Sequence, residues 1–209
     1  RSLLNSLFIT GVTSVLVVII SCLMALVFAR VDFKGKNFVF NIVSLALLFP
    51  LPLAFLPVFI QVREMGLINS FWGVILPLAT FQLATTTIIL RGFFRSIPKE
   101  LEDASYIDGS SILGFFWYIL LPLARPAIAS VGTISVIYAW NDYFLALLIL
   151  NKAEQWPLPL GIMQFQGQFG VDWAPIMAYV TVLIIPALIF YLFAQKYVTT
   201  GVLGGELKG

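Results

Sequence analysis

The acidic side chains of this chain are few and gathered. Of its 10 Asp and Glu residues, Glu100, Glu102, Asp103 and Asp108 fall in one short stretch that ends at Gly109. Carboxylates so grouped can pair with basic groups on a partner surface, and those near a helix start also favour its positive N-terminal dipole. Nothing around them forms a catalytic or metal-binding set. The chain has no histidine, which removes the commonest metal ligand and proton shuttle, and Cys22 has no second cysteine to pair with. No G-x-x-x-x-G-K-[ST] run occurs, so the chain cannot itself cradle ATP in the usual way. The stretch therefore reads as a contact surface.

The elements that must carry this surface lie in lipid. Of 209 residues 60% are hydrophobic and only 11% charged, and the mean hydropathy is +1.00. Soluble domains carry about 25% charged residues. The net charge of +2 gives no basis for a nucleic-acid partner. Residues 2–29, 37–62, 65–90 and 173–195 are free of charge, and each is long enough to cross a bilayer, which takes about 20 residues. Residues 123–150 form a fifth candidate despite Arg125 and Asp142, since charges near helix ends snorkel to the interface. The expected fold is an all-α integral membrane domain with spans at about 5–29, 38–62, 69–91, 123–150 and 174–196. Pro50, Pro52 and Pro57 in the second span, Pro77 in the third and Pro186 in the last each remove a backbone donor and predict kinks.

Basic residues collect on the cytoplasmic side of short loops. A first span running inward puts nine of the 12 basic residues inside, with Arg1, Arg63 and Lys152 outside. Segment 92–122 and the C-terminus are then cytoplasmic, and 151–172 lies outside. With an outside start and no initiating methionine, one further helix upstream is expected.

Segment 92–122 predicts a helix, a turn and a second helix. Pro98 suits a first helical turn, and Glu100, Glu102 and Asp103 sit near the dipole's positive end. Asp108-Gly109-Ser110 is a turn signal, after which Phe115, Phe116 and Trp117 enrich the second helix. The unit reads as a knob offered to something in the cytoplasm.

This segment resembles the E-A-A loop of bacterial ABC-transporter permeases: E-A-A, three residues, G, nine residues, I-x-L-P. Asp103-Ala104-Ser105 stands for the triplet, and Gly109, Ile119, Leu121 and Pro122 keep the spacing. Asp103 replaces glutamate, with Glu102 beside it, and Ser105 replaces alanine. Leu90–Pro98, Ala139-Trp140-Asn141-Asp142, Gln164-Phe165-Gln166-Gly167-Gln168 with Asp172-Trp173, and the ending Gly-Glu-Leu-Lys-Gly209 are similar to the second permease subunit of carbohydrate importers, from about Asn5 onward.

The resemblance implies a pore subunit of a binding-protein-dependent importer in the cytoplasmic membrane of a bacterium or archaeon, with six spans in the full-length subunit. It implies a second permease subunit, a dimer of ATP-hydrolysing subunits that holds ATP and magnesium, and an extracytoplasmic solute-binding protein. It implies no cofactor on this chain and no enzymatic activity of its own. It assigns Glu102, Asp103, Ala104, Ser105, Asp108 and Gly109 to coupling with the ATPase. Trp140, Asn141, Asp142 and Tyr143 have two readings, contact with sugar or binding protein and an interfacial aromatic belt. Gln164 and Gln166 are either a docking loop or a polar turn. Gln82 and Thr85 to Thr87 either face a pathway or bond their own helix. The tail 199–209, with four glycines, is expected to be flexible when free and to reach the ATPase dimer. An amino-acid or phosphate permease is the near alternative. An ion-coupled transporter is the remote one, and it lacks the intramembrane carboxylates, lysines or histidines such coupling uses.

Overall fold

The computed structural model describes residues 1–167, 170–171 and 173–203, and these are helical almost throughout. In chain order the helices are α1 (Ser2–Arg30), α2 (Lys36–Leu45), α3 (Leu51–Glu64), α4 (Phe71–Ser96), α5 (Lys99–Ile107), α6 (Ile112–Phe115), α7 (Leu121–Leu123), α8 (Arg125–Trp140), α9 (Phe144–Ile149), α10 (Leu158–Gly161) and α11 (Trp173–Leu203). A two-residue antiparallel pairing, Gln166–Gly167 with Gly170–Val171, precedes α11.

α1 and α4 are each apolar and long enough to cross a bilayer unbroken. They pack on one another, and α8 closes against both. The buried face of α1 explains the close approach: Ser6, Thr10, Thr13, Ser14, Val17, Ser21 and Ala25 recur at helical spacing. In lipid, where neighbouring tails are as apolar as leucine, such small residues let backbones meet. Ser21 and Thr86 share a buried hydrogen bond across the α1–α4 seam. Larger apolar residues fill the two ends. One cluster joins Leu26, Leu90, Phe94, Phe115, Phe116 and Leu120, the other Ile9, Val62, Ile75, Leu78, Leu145 and Ile149.

The second span differs from a single kinked helix. It breaks into α2 and α3, sharply bent at Phe49 and Pro50. Neither Pro50 nor Pro52 supplies an N–H, so two helical bonds within three residues are lost where the loss of one already favours a kink. Pro57 and Pro77 stay inside intact helices. The expected fifth span, 123–150, is also not one helix. α8 ends at Trp140, and α9 begins after the turn Asn141-Asp142-Tyr143. α11 runs to Leu203, so the start of the tail is helical rather than loose; 204–209 lie outside the described residues.

Gly73 marks a close approach of backbone to backbone. A Cβ there would run into the Leu67 carbonyl oxygen and lie 3.0 Å from Val62 and Ile149 side chains, whereas a Cβ at Gly11 meets nothing within 4 Å. Overpacking of this kind costs about 1–3 kcal/mol. Thermal unfolding of the purified protein in detergent should therefore show a lower midpoint for Gly73→Ala and none of that loss for Gly11→Ala.

Candidate functional site

Helix α5 starts directly after Pro98, whose φ of −54° suits entry into a helix. It ends in a reversal at Gly109, where φ is +83°. That left-handed conformation costs a residue bearing a Cβ about 1–2 kcal/mol, which is why glycine stands there. The backbone closes the turn through Gly109 N–H to the Tyr106 carbonyl (3.0 Å) and Ser110 N–H to the Ser105 carbonyl (2.9 Å). The Ser111 hydroxyl then caps α6 by accepting from Gly114 N–H at 3.2 Å. Pro122 has no N–H to donate backwards, and the stretch before it, Phe116–Leu120, winds as a π-helix. The α6–α7 stretch as a whole meets α8 at 77°. The unit thus lies across the end of the bundle.

One buried cation fixes it there. Arg30, the last residue of α1, pairs through Nη1 with Glu102 Oε2 at 3.1 Å, both side chains being 7% exposed. Its Nη2 donates to the carbonyls of Phe94 (2.6 Å) and Ile97 (2.7 Å), which end α4. The guanidinium also lies 5.7 Å from the centroid of the Phe115 ring, within cation–π range. Tyr106 donates to the other oxygen of Glu102 at 2.9 Å. Burial, followed by that bond, pushes the Tyr106 phenol above its ordinary pKa. One residue of α1 therefore holds the end of α4, helix α5 and the ring of Phe115.

This placement divides the sequence-derived residues. Glu102 and Ser105 face inward: Glu102 is spent on Arg30, and the Ser105 hydroxyl donates to the Glu102 carbonyl at 2.8 Å. Glu102 is thus corrected from a carboxylate facing a partner to an internal anchor. Asp103, Ala104, Asp108 and Gly109 face outward. So do Ile107 (86% exposed), Leu113, Trp117 and Tyr118 (82%). Phe115 and Phe116, read as part of the knob, are instead buried beneath it.

At the opposite end, the residues 140–143 serve the fold. Asn141 Nδ2 donates to the Ile137 carbonyl at 2.7 Å. Asp142 receives Leu145 N–H (3.4 Å) and Ala146 N–H (3.1 Å), capping α9. Trp140 is buried, and Tyr143 packs edge-on against Phe144. Arg1 and Glu154 approach to 3.5 Å, and Asn5 donates to the Glu154 and Trp156 carbonyls, so the loop after α9 covers the start of α1. Gln164 is exposed in a 3-10 turn. Gln166 lies in the short pairing, and Gln168 and Asp172 are outside the described residues.

Residues 6–203 match the family described as binding-protein-dependent transport system inner membrane component. The chain belongs to this family. It is 33% identical over 207 residues to the sulfoquinovosyl glycerol transport system permease protein SmoH of Agrobacterium fabrum, covering 99% of this chain and 73% of that one. It is 36% identical over 224 residues to the polygalacturonan/rhamnogalacturonan transport system permease protein YtcP of Bacillus subtilis, covering 100% and 77%. Among solved structures, a chain of a bacterial ABC transporter involved in import of the acidic polysaccharide alginate superposes with a TM-score of 0.80. Its identity is 26%, over 94% of this chain and 74% of that one.

Sequence reasoning about this permease missed Arg30, because it lies 72 positions from Glu102 and no local pattern links them. The available signal was Glu102 itself, whose neighbour Asp103 lies about 100° further round the helix, so that one carboxylate can turn inward while the other faces out. Removing one partner of a buried ion pair leaves an uncompensated charge and costs about 3–5 kcal/mol. Glu102→Ala should lower the unfolding midpoint and speed proteolysis of segment 92–122. Asp103→Ala, at an exposed position, should shift stability by no more than about 0.5 kcal/mol.

Proposed function

We propose that this permease is a pore-forming subunit of an ATP-driven importer that brings carbohydrate into the cell. Segment 92–122 is the element that seats on the ATPase. The observation that carries the coupling role is the outer face of that segment: exposed Ile107, Leu113, Trp117 and Tyr118 flank Asp103, Asp108 and Gly109. Large apolar side chains grouped on a polar unit beyond the membrane mark a protein-docking surface. The carboxylates can receive basic groups of the partner. Arg30 makes the unit an extension of α1 and α4, so a displacement imposed on it is passed to the spans.

The carbohydrate reading draws on the relatives named for sulfoquinovosyl glycerol and for polygalacturonan and rhamnogalacturonan, and on the transporter that imports alginate. The excess of basic residues at the Arg30 end of the bundle supports an orientation with the coupling unit and C-terminus in the cytoplasm. The partners in this reading are a second permease subunit, two ATPase subunits carrying ATP and magnesium, and a binding protein that delivers solute to the outer face formed around 151–165.

The test is uptake of labelled oligosaccharide by proteoliposomes holding the complete importer, with ATP inside and binding protein outside. Gly109→Leu should abolish uptake while the protein stays in the membrane. Gly35→Leu, at an equally left-handed turn (φ +86°) away from the docking face, should keep it. Normal uptake by Gly109→Leu would refute the coupling assignment. Cysteines placed at Asp103 and Asp108 should cross-link to the ATPase, and failure at both would count equally against it.

A further inference from the structure

A groove of about 220 Å³ opens beside the elbow of the broken second span. Phe49 stands on one wall, Phe81, Gln82 and Thr85 of α4 on another, and Tyr138 of α8 on the third. Gln82 lies roughly 17 Å along α4 at 1.5 Å per residue. It is therefore about half-way through a hydrocarbon core of about 30 Å. A glutamine at that depth needs a reason.

Gln82 is 5% exposed. Its Nε2 donates to the Leu78 carbonyl at 3.2 Å, but Oε1 has no donor among the described residues. Leaving a buried amide oxygen unmet costs about 1–3 kcal/mol. The terminal torsion of glutamine is broad, so a small rotation offers this oxygen to the groove. Thr85 is exposed three residues further along α4, and the Tyr138 hydroxyl adds a group that both donates and accepts. At the elbow, Pro52 withholds the N–H that the Leu48 carbonyl would receive in a helix, and irregular backbone at membrane depth persists only against protein or a wet cavity. The larger cavity between α1, α8 and α11, about 430 Å³, is lined mainly by Leu7, Val136, Ile137, Ile184 and Leu188 and offers chiefly apolar contact.

We infer that the groove at Phe49, Phe81, Gln82, Thr85 and Tyr138 is a carbohydrate-binding subsite on the translocation pathway. Gln82 accepts from a sugar hydroxyl, Thr85 and Tyr138 exchange hydrogen bonds with its neighbours, and Phe49 and Phe81 lie against the apolar face of the ring. The amide, hydroxyl and aromatic faces together match a ligand that is polar at its edges and apolar on its faces. The inference rests on the carbohydrate reading above.

Reconstituted importer with Gln82→Leu or Tyr138→Phe should take up its oligosaccharide with KM raised about tenfold, while ATP hydrolysis stimulated by the binding protein is kept. Thr85→Cys changes only an exposed position, so it stays informative if Gln82→Leu, a change at a buried position, fails to assemble. Its modification by a methanethiosulfonate should block uptake and be slowed by the transported sugar. Thr80→Cys, exposed on the same helix outside the groove, should show no such protection. Wild-type uptake with unchanged KM in the variants and no protection of Thr85→Cys would overturn this inference alone. A wild-type importer that moves another solute and no carbohydrate would overturn the reading beneath it as well.

Discussion

Arg30 ends a 29-residue hydrophobic helix, and the contacts of its guanidinium determine how that end of the molecule is put together. It satisfies two carbonyls that α4 leaves open at its C-terminus, neutralises Glu102 and lies against Phe115. A buried ion pair adds little net stability, because desolvating two charges offsets most of their attraction. Its effect lies in position: helix α5 can sit in only one place without stranding a charge. A docking unit joined to the spans by backbone alone would move freely at its two connections. Joined also by Arg30, it moves with α1 and α4.

The bundle behind that anchor follows from its solvent. With no hydrophobic drive between helices in lipid, α1 meets α4 and α8 through small residues and short hydroxyls rather than a leucine core. Some of the buried hydroxyls bond their own helix, as Thr86 does to the Gln82 carbonyl and Thr133 to the Ala129 carbonyl, while those of Thr13, Ser14 and Ser135 have no partner among the described residues. Among the groups left without a partner, Gln82 is an amide at mid-depth that lines a groove. Gln82 Oε1 faces a break in the neighbouring span with no donor of its own.

Much of this was legible in the residues, and the misses share a cause. Uncharged runs located α1, α4 and α11 because crossing a bilayer imposes a length that composition reveals. Asp108-Gly109-Ser110 located the reversal because only glycine accepts its backbone angles cheaply. The end of α8 at Trp140 was not read, since no proline or glycine marks it. Asp142, which the sequence leaves open between a sugar or binding-protein contact and an interfacial belt, also caps the start of the next helix. Pro50 and Pro52 announced a kink, but the sharpness of the bend depends on what packs inside the elbow. Which of Glu102 and Asp103 turns inward depended on Arg30, a contact between residues far apart in the chain.

The central claim is that the coupling unit works through its anchor in the spans. Replacing Arg30 and Glu102 together by methionine removes both charges without burying an unpaired one, so the complex should still assemble and hydrolyse ATP. The direct measurement is oligosaccharide taken up per ATP hydrolysed in proteoliposomes. A ratio well below wild type, with hydrolysis retained, is the predicted result; an unchanged ratio would contradict the account.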